Sequence, residues 1–426
     1  MSFPFRRIVV TGVGLVTPFG SDLNEVWHAF KTGRSGVSLV TPPDGSASGP
    51  ILGAPVTGFS PRDYVDAKSL RLMAPAVAFG VGAAQLATTD AGLQIDALDP
   101  ARFGVFVGSR GHSSDRQDLM AAVRLASRDG TFRLNRFGAE GLPLVHPMWL
   151  LKGLANNVLY FVSLKYNAQG MNNNISMGGV AGTMAIGEAF EALRRGFVDV
   201  ALAGAYDSAL DPDRIEMFGI SGLVTTSNDA ATASRPFDRR RSGFVPGEGA
   251  GFFVLETLES ATRRGAKIYG EIRGYGSTAG PFSPVHLGPS ATGFASALAE
   301  AIANADGVTP DAVFTHGLGT ITSDAEETRA LKTVFGGAAR TIPAPALKSM
   351  IGNTFAASGM IEAAAACFAL RDGYLPPTVN LTDPDPACDL DYVPGTEGRR
   401  AALTTVALNN VNLGGAHASL VLGRLA

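Results

Sequence analysis

The segment NNNISMGGVAGTMAIG, residues 172–187, changes from a β-branched and polar run into an apolar stretch rich in Ala and Gly. This pattern predicts a strand that turns directly into a helix. A helix N-terminus stabilises a developing anion, so many transferases place a nucleophilic side chain at such a turn. The chain has Gly179 there, and glycine has no side chain that can attack a substrate. The sequence therefore predicts an active-site turn that lacks its nucleophile.

Other nucleophilic side chains are poor substitutes for the missing one. Ser176 lies three residues upstream, on the strand side of the turn. Cys367 lies on an Ala-rich helical stretch, where a small buried thiol normally serves in packing. Two cysteines in 426 residues indicate a reducing compartment rather than a disulfide framework.

The sequence offers no metal or cofactor motif. The start of the chain is rich in glycine, and Gly12 and Gly14 fit a dinucleotide-binding fingerprint. Thr17, however, occupies the third glycine position and Pro18 follows it. The histidines other than His316 have no metal-ligand spacing; they are His28, His112, His146, His286 and His417. We therefore expect neither a metal nor a cofactor.

Short apolar strands alternate with helical stretches along the chain. Strands are predicted at 8–12, 103–108, 198–204, 251–256, 312–315 and 404–409, and helices at 68–91, 182–195, 291–305 and 357–371. Continuously apolar strands separated by helices indicate buried sheets that are covered on both faces. Residues 40–61 and 227–249 are predicted to be loops. We predict one unit over residues 1–426, made of two similar α/β halves at 1–258 and 259–426.

The composition suits a buried α/β protein, with 46% hydrophobic and 17% charged residues. A net charge of −3 gives no global field that points to nucleic acid or to an anionic membrane. The N-terminus lacks the features of a signal peptide. The richest apolar stretch, 355–370, is interrupted by Glu362 and is too short to span a bilayer. We therefore predict a cytoplasmic protein with no nucleic-acid or membrane partner.

Several segments resemble the β-ketoacyl-acyl-carrier-protein synthases. They are RIVVTGVGLVTPFG (7–20), the 172–187 segment, SRPFDRRRSGFVPGEGAG (234–251), THGLGT (315–320), KSMIGNT (348–354), LPPTVN (375–380), CDLDYVP (388–394) and NNVNLGG (409–415). The matches follow the order of the family and span nearly the whole chain. The resemblance implies a thiolase fold, in which two α/β halves form five αβαβα layers, and a protein that is normally dimeric.

Members of that family condense an acyl chain with malonyl-carrier protein by means of one Cys and two His. The resemblance places Gly179 at the Cys position and His316 at the first His, whereas Asn353 replaces the second His. An amide forms hydrogen bonds as a neutral imidazole does, but it cannot shuttle a proton near pH 7. Lys348 matches the family lysine. Two of the three catalytic positions have changed, which favours a naturally specialised paralogue.

Further matched positions are acidic residues and a gating loop. Asp324 and Glu327 match acidic residues that follow the first His of the family, and Cys388 lies in a segment that the family carries outside its active site. In the gating loop, Val411 replaces an aromatic residue and Asn412 replaces a flexible glycine. Gly414 and Gly415 are kept. Loss of a glycine should restrict a loop that must move during catalysis.

These departures imply a non-condensing subunit that resembles the chain-length factors of type II polyketide synthases. Those are Cys-less paralogues that pair with an active ketosynthase and help to shape the cavity for the growing chain. The implied partners are a Cys-containing ketosynthase, in a heterodimer, and an acyl carrier protein. Chain-length factors commonly have Gln where this chain has Gly179, so a decarboxylating Gln-type site is not expected.

Two other functions stay open at the level of sequence. One is an acyltransferase that uses His316 as a base without a covalent intermediate; the other is a scaffold that binds carrier proteins. His316 either polarises a malonyl group, supported by Lys348, or is a remnant that keeps the shape of the pocket. The basic clusters at 194–195, 239–241 and 263–267 are candidate contacts for an acidic carrier protein, although most such clusters are solvated surface.

Overall fold

The elements below come from a computed structural model, which describes residues 5–41, 50–111, 117–210, 212–280 and 290–425. Its strands are β1 Ile8–Val16, β2 Ser38–Val40, β3 Ile51–Gly53, β4 Phe103–Ser109, β5 Asn172–Ser176, β6 Val200–Ser208, β7 Glu248–Thr257, β8 Gly270–Ala279, β9 Ala312–Phe314, β10 Tyr374–Leu375, β11 Arg399–Arg400, β12 Thr405–Val411 and β13 Ala416–Gly423. Its helices are α1 Leu23–Lys31, α2 Ala67–Leu70, α3 Pro75–Asp90, α4 Gln117–Ala126, α5 Leu134–Arg136, α6 Trp149–Lys152, α7 Asn157–Tyr166, α8 Ala181–Arg194, α9 Pro212–Ile220, α10 Leu258–Arg263, α11 Ala291–Asn304, α12 Ile321–Phe335, α13 Lys348–Ile351 and α14 Ser358–Asp372.

The main sheet has the strand order β5-β4-β6-β7-β1-β8-β13-β12-β9. In the first half of this order, β5, β4 and β6 run parallel, and β7 is antiparallel to both β6 and β1. In the second half, β9 is parallel to β12, and β13 is antiparallel to β12 and β8. Among the described residues, the two groups are joined only by the short pairing of Ile8–Val10 with residues 270–272. The sheet is therefore two strand groups that meet along β1 and β8.

The two strand groups sandwich a central helical layer. Helices α8 and α14 pack on each other and contact strands of both groups, while α3 lies on the outer face of the first group and α11 on that of the second. Every residue of α14 from Ser358 to Leu370 is buried, as a helix between two sheets requires. This arrangement confirms the predicted αβαβα layers.

Small residues allow the central helices to approach closely. A Cβ at Gly182 of α8 would stand 2.5 Å from the carbonyl oxygen of Ala356, just before α14. Only glycine leaves room for that backbone. This approach brings the start of α8 and the start of α14 to the same place in the fold.

The predicted elements are present with differences at their ends, and one predicted helix is divided in two. The single helix expected at 68–91 is two helices, because Asp66 caps α2 and Pro75 begins α3. Residues 40–61 include the short strand β3, and their 42–49 portion lies outside the described residues. In the part of the chain that the structure describes, no helix has the length and apolar character needed to cross a membrane.

Candidate active site

The predicted strand-to-helix turn is present. Strand β5 ends at Ser176, a 3-10 turn covers Gly178–Val180, and α8 begins at Ala181. Gly178 has a φ of +53°, a conformation that side chains rarely adopt, and a Cβ there would stand 2.5 Å from the Asn412 Oδ1. The side chain of Asn412 therefore fills the space beside Gly178.

The space beside Gly179 is also filled. A Cβ built on Gly179 would lie nearer than 3.0 Å to the carbonyl oxygen of Val411 and 3.8 Å from the Cα of Asn412. A side chain at 179 would thus require the backbone of the 411–415 turn to move. Gly179 therefore faces no open pocket, because the 411–415 turn, which the sequence predicts to be a gating loop, lies against it.

The 411–415 turn is a closed connection between β12 and β13. The backbone N–H of Asn412 donates to the carbonyl of Ala416, and that of Gly415 donates to the carbonyl of Asn412, both at 2.9 Å. Gly280 donates to the Gly415 carbonyl at 2.6 Å. Val411 is buried against Phe294 of α11. These contacts hold both ends of the turn against Gly178 and Gly179. Gly414, within the turn, is exposed.

His316 follows β9 and is only 2% exposed. In the described structure, its Nδ1 has no hydrogen-bond partner. Burial lowers the pKa of His316 well below its ordinary value, and the charges of Lys348 and His417 lower it further. The imidazole is therefore neutral at pH 7 and is a weak base.

Two buried carboxyl groups fix the loop that carries His316. Glu327 accepts the backbone N–H groups of His316 and Gly317 at 2.8 and 2.9 Å. Asp324 accepts those of Gly319 and Phe237 at 3.0 and 2.8 Å. Burial raises the pKa of Glu327 to about 8 and that of Asp324 to about 6. Both acids bind backbone amides, which is a positioning role for the loop.

Lys348 is engaged in a buried polar network. Its Nζ lies 2.6 Å from Glu362 Oε1, and both side chains are essentially inaccessible to solvent. The other oxygen of Glu362 accepts a 2.6 Å hydrogen bond from Asn410 Nδ2, and Asn410 Oδ1 accepts one from the Thr183 hydroxyl. The network links α13, α14, β12 and α8. It therefore joins β12, which leads into the 411–415 turn, to α8, which follows Gly179.

Asn353 is turned towards its own chain. Its side-chain oxygen accepts the backbone N–H of Phe355 at 3.1 Å and lies 3.5 Å from the Ser358 hydroxyl oxygen. This is the local side chain-to-backbone bond that Asn commonly forms at turns. The amide thus supports the start of α14, and the assignment of Asn353 to the second His position remains a prediction from the sequence.

An aromatic cluster that the sequence did not predict packs beside Asn353. The ring of Phe355 stacks on Phe218 at 5.0 Å and meets Phe244 edge-on at 5.4 Å. The Arg110 guanidinium lies 4.8 Å from the centre of the Phe355 ring and donates to Asp207 at 2.8 Å. No motif in the sequence indicates these contacts, because their members come from segments that are far apart in the chain.

Neither cysteine is placed to act as a substitute nucleophile. Cys367 and Cys388 are both buried, and burial raises their pKa to about 12 and about 11. Among the described residues, no three His, Cys, Asp or Glu side chains are placed to hold a metal ion. His112 and His286 lie outside the described residues.

The site predicted from the sequence does not include His417. This residue is nevertheless fully buried, on β13 beside the 411–415 turn. Its ring packs 4.9 Å from that of Phe294, which also lies 6.4 Å from the ring of His316. Burial lowers the pKa of His417 to about 4.

Comparisons with known proteins agree with this architecture. The family described as "Beta-ketoacyl synthase, N-terminal domain" matches residues 5–261, and "Beta-ketoacyl synthase, C-terminal domain" matches residues 269–382. The chain is 36% identical to 3-oxoacyl-[acyl-carrier-protein] synthase 2 of Synechocystis over 95% of this chain and 94% of that protein. It is 34% identical to the protein of the same name from Coxiella burnetii over 99% of both chains.

Solved structures of similar proteins cover the same length. The ishigamide ketosynthase/chain length factor matches 99% of this chain and 100% of its own, with a TM-score of 0.87 and 29% identity. A β-ketoacyl synthase of Burkholderia phymatum matches to the same extent, with a TM-score of 0.85 and 31% identity. A type II ketosynthase in complex with its acyl-carrier protein has a TM-score of 0.82 and 31% identity, and covers 99% of this chain and 100% of that one.

Proposed function

The chain belongs to the β-ketoacyl synthase family, and on that premise we propose that it is a non-condensing subunit of the chain-length-factor type. Such a subunit pairs with an active, Cys-containing ketosynthase and shapes the cavity for the growing polyketide or acyl chain. The observation that carries the proposal is the contact between Gly179 and Val411. The nucleophile is absent, and the gating turn fills its place.

The chemistry of condensation explains why this contact matters. The acyl group must form a thioester with a side chain at position 179, and glycine provides no atom for that bond. The Val411 carbonyl also directs the negative end of a dipole at the turn that leads into α8. An oxyanion near this helix N-terminus would meet an oxygen atom where it needs a hydrogen-bond donor.

The second altered position supports the same conclusion. Decarboxylation and enolate stabilisation in the family use two imidazoles, and here only His316 is kept. Its lowered pKa makes it a weak base, and Asn353 is committed to the backbone of Phe355. Lys348 is paired with Glu362 in a buried ion pair. His316, Asn353 and Lys348 are thus poorly suited to move a proton.

An exposed apolar surface beside β5 fits the docking of a partner. Among the described residues, β5 pairs only with β4, so its outer edge presents unpaired backbone groups. Met171 and Met177 flank this strand, and Tyr160 and Leu164 project from the neighbouring α7. Further exposed leucines precede α7 in the chain: Leu134, Leu142, Leu144, Leu150, Leu151 and Leu154. Apolar patches of this kind mark interaction sites, and we assign this one to the Cys-containing ketosynthase.

One observation favours a second candidate function. The Nδ1 of His316 lacks a hydrogen-bond partner in the described structure, as a general base waiting for a substrate proton would. An acyltransferase would then use His316 to activate the nucleophile of its substrate. The lowered pKa and the burial of the ring weigh against this function, because an efficient base has a pKa near the working pH.

Co-expression with a Cys-containing ketosynthase tests the proposal. We expect a one-to-one complex by size-exclusion chromatography with light scattering, and polyketide or acyl products only when both chains are present. The control is the same complex with the catalytic Cys of the partner changed to Ala, which should form but make no product. Turnover of acyl thioesters by this chain alone, abolished by His316→Ala, would establish the acyltransferase instead.

A further inference from the structure

A group of arginines lies at the end of the sheet opposite the candidate site. The site lies near the carboxyl ends of β4, β5 and β6, whereas these arginines surround the starts of β1, β4 and β6 and the end of α8. We call this surface the arginine face; its members are Arg6, Arg7, Arg102, Arg194, Arg195 and Arg263. Part of it lines an open groove of about 830 Å³ together with Leu258 and Thr262.

The arginine face carries an excess of positive charge. Asp199 pairs with both Arg6 and Arg102, and Glu191 pairs with both Arg194 and Arg195. Arg7 pairs with Glu271, and Arg263 with Glu259. Six guanidinium groups therefore pair with four carboxylates among the described residues of this surface, and the charge of a fifth acid, Asp99, also acts on Arg102. The chain as a whole has a net charge of −3, so the excess is local.

Several of these cations remain accessible in spite of their ion pairs. The side chains of Arg7, Arg195 and Arg263 are 56%, 57% and 71% exposed. Exposed pairs of this kind contribute little to stability and leave the guanidinium free to bind a second acid. The pKa of Asp199 is lowered to about 2, chiefly by its hydrogen bond from Arg102, so the pairing pattern is the same across the physiological pH range.

Exposed aromatic rings lie among the arginines. Phe5 and Phe197 are more than half exposed, and the Arg194 guanidinium stacks 4.1 Å from the centre of the Phe5 ring. The guanidinium of Arg6 packs against Gly196, next to Phe197. Arginine combined with exposed aromatic side chains is typical of protein-binding surfaces.

We propose that the arginine face is a docking site for an acidic acyl carrier protein, separate from the site around Gly179. Positive charge, a groove and exposed aromatic rings together fit an acidic protein surface. Strand β6 runs from the arginine face to the candidate site, and its nine residues correspond to a separation of about 30 Å. A carrier protein docked here leaves the other end of the subunit unobstructed. This inference rests on the proposed function, because that function makes a carrier protein the acidic partner.

Calorimetric titration of the two-subunit complex with an unmodified type II acyl carrier protein tests the inference. We expect the complex to bind one carrier protein at the arginine face and a second one at the ketosynthase. The variant Arg7→Glu/Arg263→Glu should lose binding at the arginine face and keep binding at the ketosynthase. The control Arg329→Glu/Arg340→Glu changes two arginines of similar exposure and pairing outside this face, and it should keep both events. The milder variant Arg7→Gln/Arg263→Gln should weaken carrier-protein binding at the arginine face at least tenfold. This loss of affinity should be larger at lower salt concentration.

Each possible result decides the inference. Two binding events in the charge-reversed complex would overturn it. So would a single-stranded DNA 20-mer that binds this face as tightly as the carrier protein, because the face would then select only negative charge. If no two-subunit complex forms, the proposed function has failed. The same titration of this chain alone then tests the docking site: one binding event supports it, and no binding overturns it.

Discussion

The carbonyl oxygen of Val411 lies so close to Gly179 that a Cβ added there would stand less than 3.0 Å from it. The two residues are therefore complementary: the glycine admits the turn, and the turn leaves no room for a nucleophile. Asn412 has the same relationship with Gly178, whose positive φ independently favours glycine. A side chain at either glycine would therefore require the 411–415 turn to move.

Gly179→Ala should destabilise the protein, because the new Cβ collides with the Val411 carbonyl. We expect a loss of about 1–3 kcal/mol in the free energy of unfolding, typical of overpacking at a buried position. Urea denaturation measures this change. The control is Gly219→Ala in α9, where no atom lies within 4 Å of the added Cβ, and which should be neutral or slightly stabilising. Equal stability of both variants would mean that the turn moves freely.

Gly179→Cys should not restore condensation. The thiol collides with the 411–415 turn, and the proposed function assigns Asn353 to the position of the second imidazole. Alkylation by iodoacetamide, followed by mass spectrometry, should show that the introduced thiol reacts slowly; chain-extension assays should show no product. Asn412→Gly in the same background should increase the alkylation rate by loosening the turn. Robust extension by the single variant would show that Asn353 does not occupy a catalytic position.

Glu362→Gln should leave the buried Lys348 ammonium without its counter-charge. Breaking one side of a buried pair typically costs about 3–5 kcal/mol, and the variant should lose that much unfolding free energy. The double variant Glu362→Gln/Lys348→Met should recover part of the loss, because it removes the unpaired cation. If Glu362→Gln unfolds at the same denaturant concentration as the parent protein, the network does not support the site.

Stability should fall as the pH drops from 6.5 towards 4. The folded-state pKa of His417 is about 4 against an ordinary 6.5, so in this window the unfolded chain takes up a proton that the folded chain rejects. The shift corresponds to about 3 kcal/mol. Because other groups titrate too, the test compares denaturation of the parent and His417→Asn at both pH values. The variant should lose less stability on acidification; identical slopes would contradict the assignment.

Charged substitutions on α7 test whether the exposed apolar surface beside β5 binds the ketosynthase partner. Leu164→Arg/Tyr160→Glu should weaken complex formation with the ketosynthase at least tenfold, because it places charges in an apolar contact. Leu39→Glu, on exposed β2, is the matched control and should leave the complex intact. Light scattering across a dilution series measures both. Unchanged association of the α7 variant would place the partner on another surface.

The sequence predicted the elements of the site better than their contacts. The strand, the turn at Gly179 and the helix after it were all visible in the residue pattern. The occupant of the space beside Gly179 was not, because it depends on how β12 approaches α8 in three dimensions. The bond from Asn410 to Glu362 also depends on tertiary packing, whereas the bond from Phe355 to Asn353 is local to one turn.

Intact-mass spectrometry of the two-subunit complex after incubation with an acyl thioester tests the central claim most directly. Each subunit is weighed separately, and product formation is followed in the same sample. We predict one acyl group on the Cys-containing partner, none on this chain, and product only while both subunits are present. An acyl group on this chain, or product formed by this chain alone, would contradict the assignment of a non-condensing subunit.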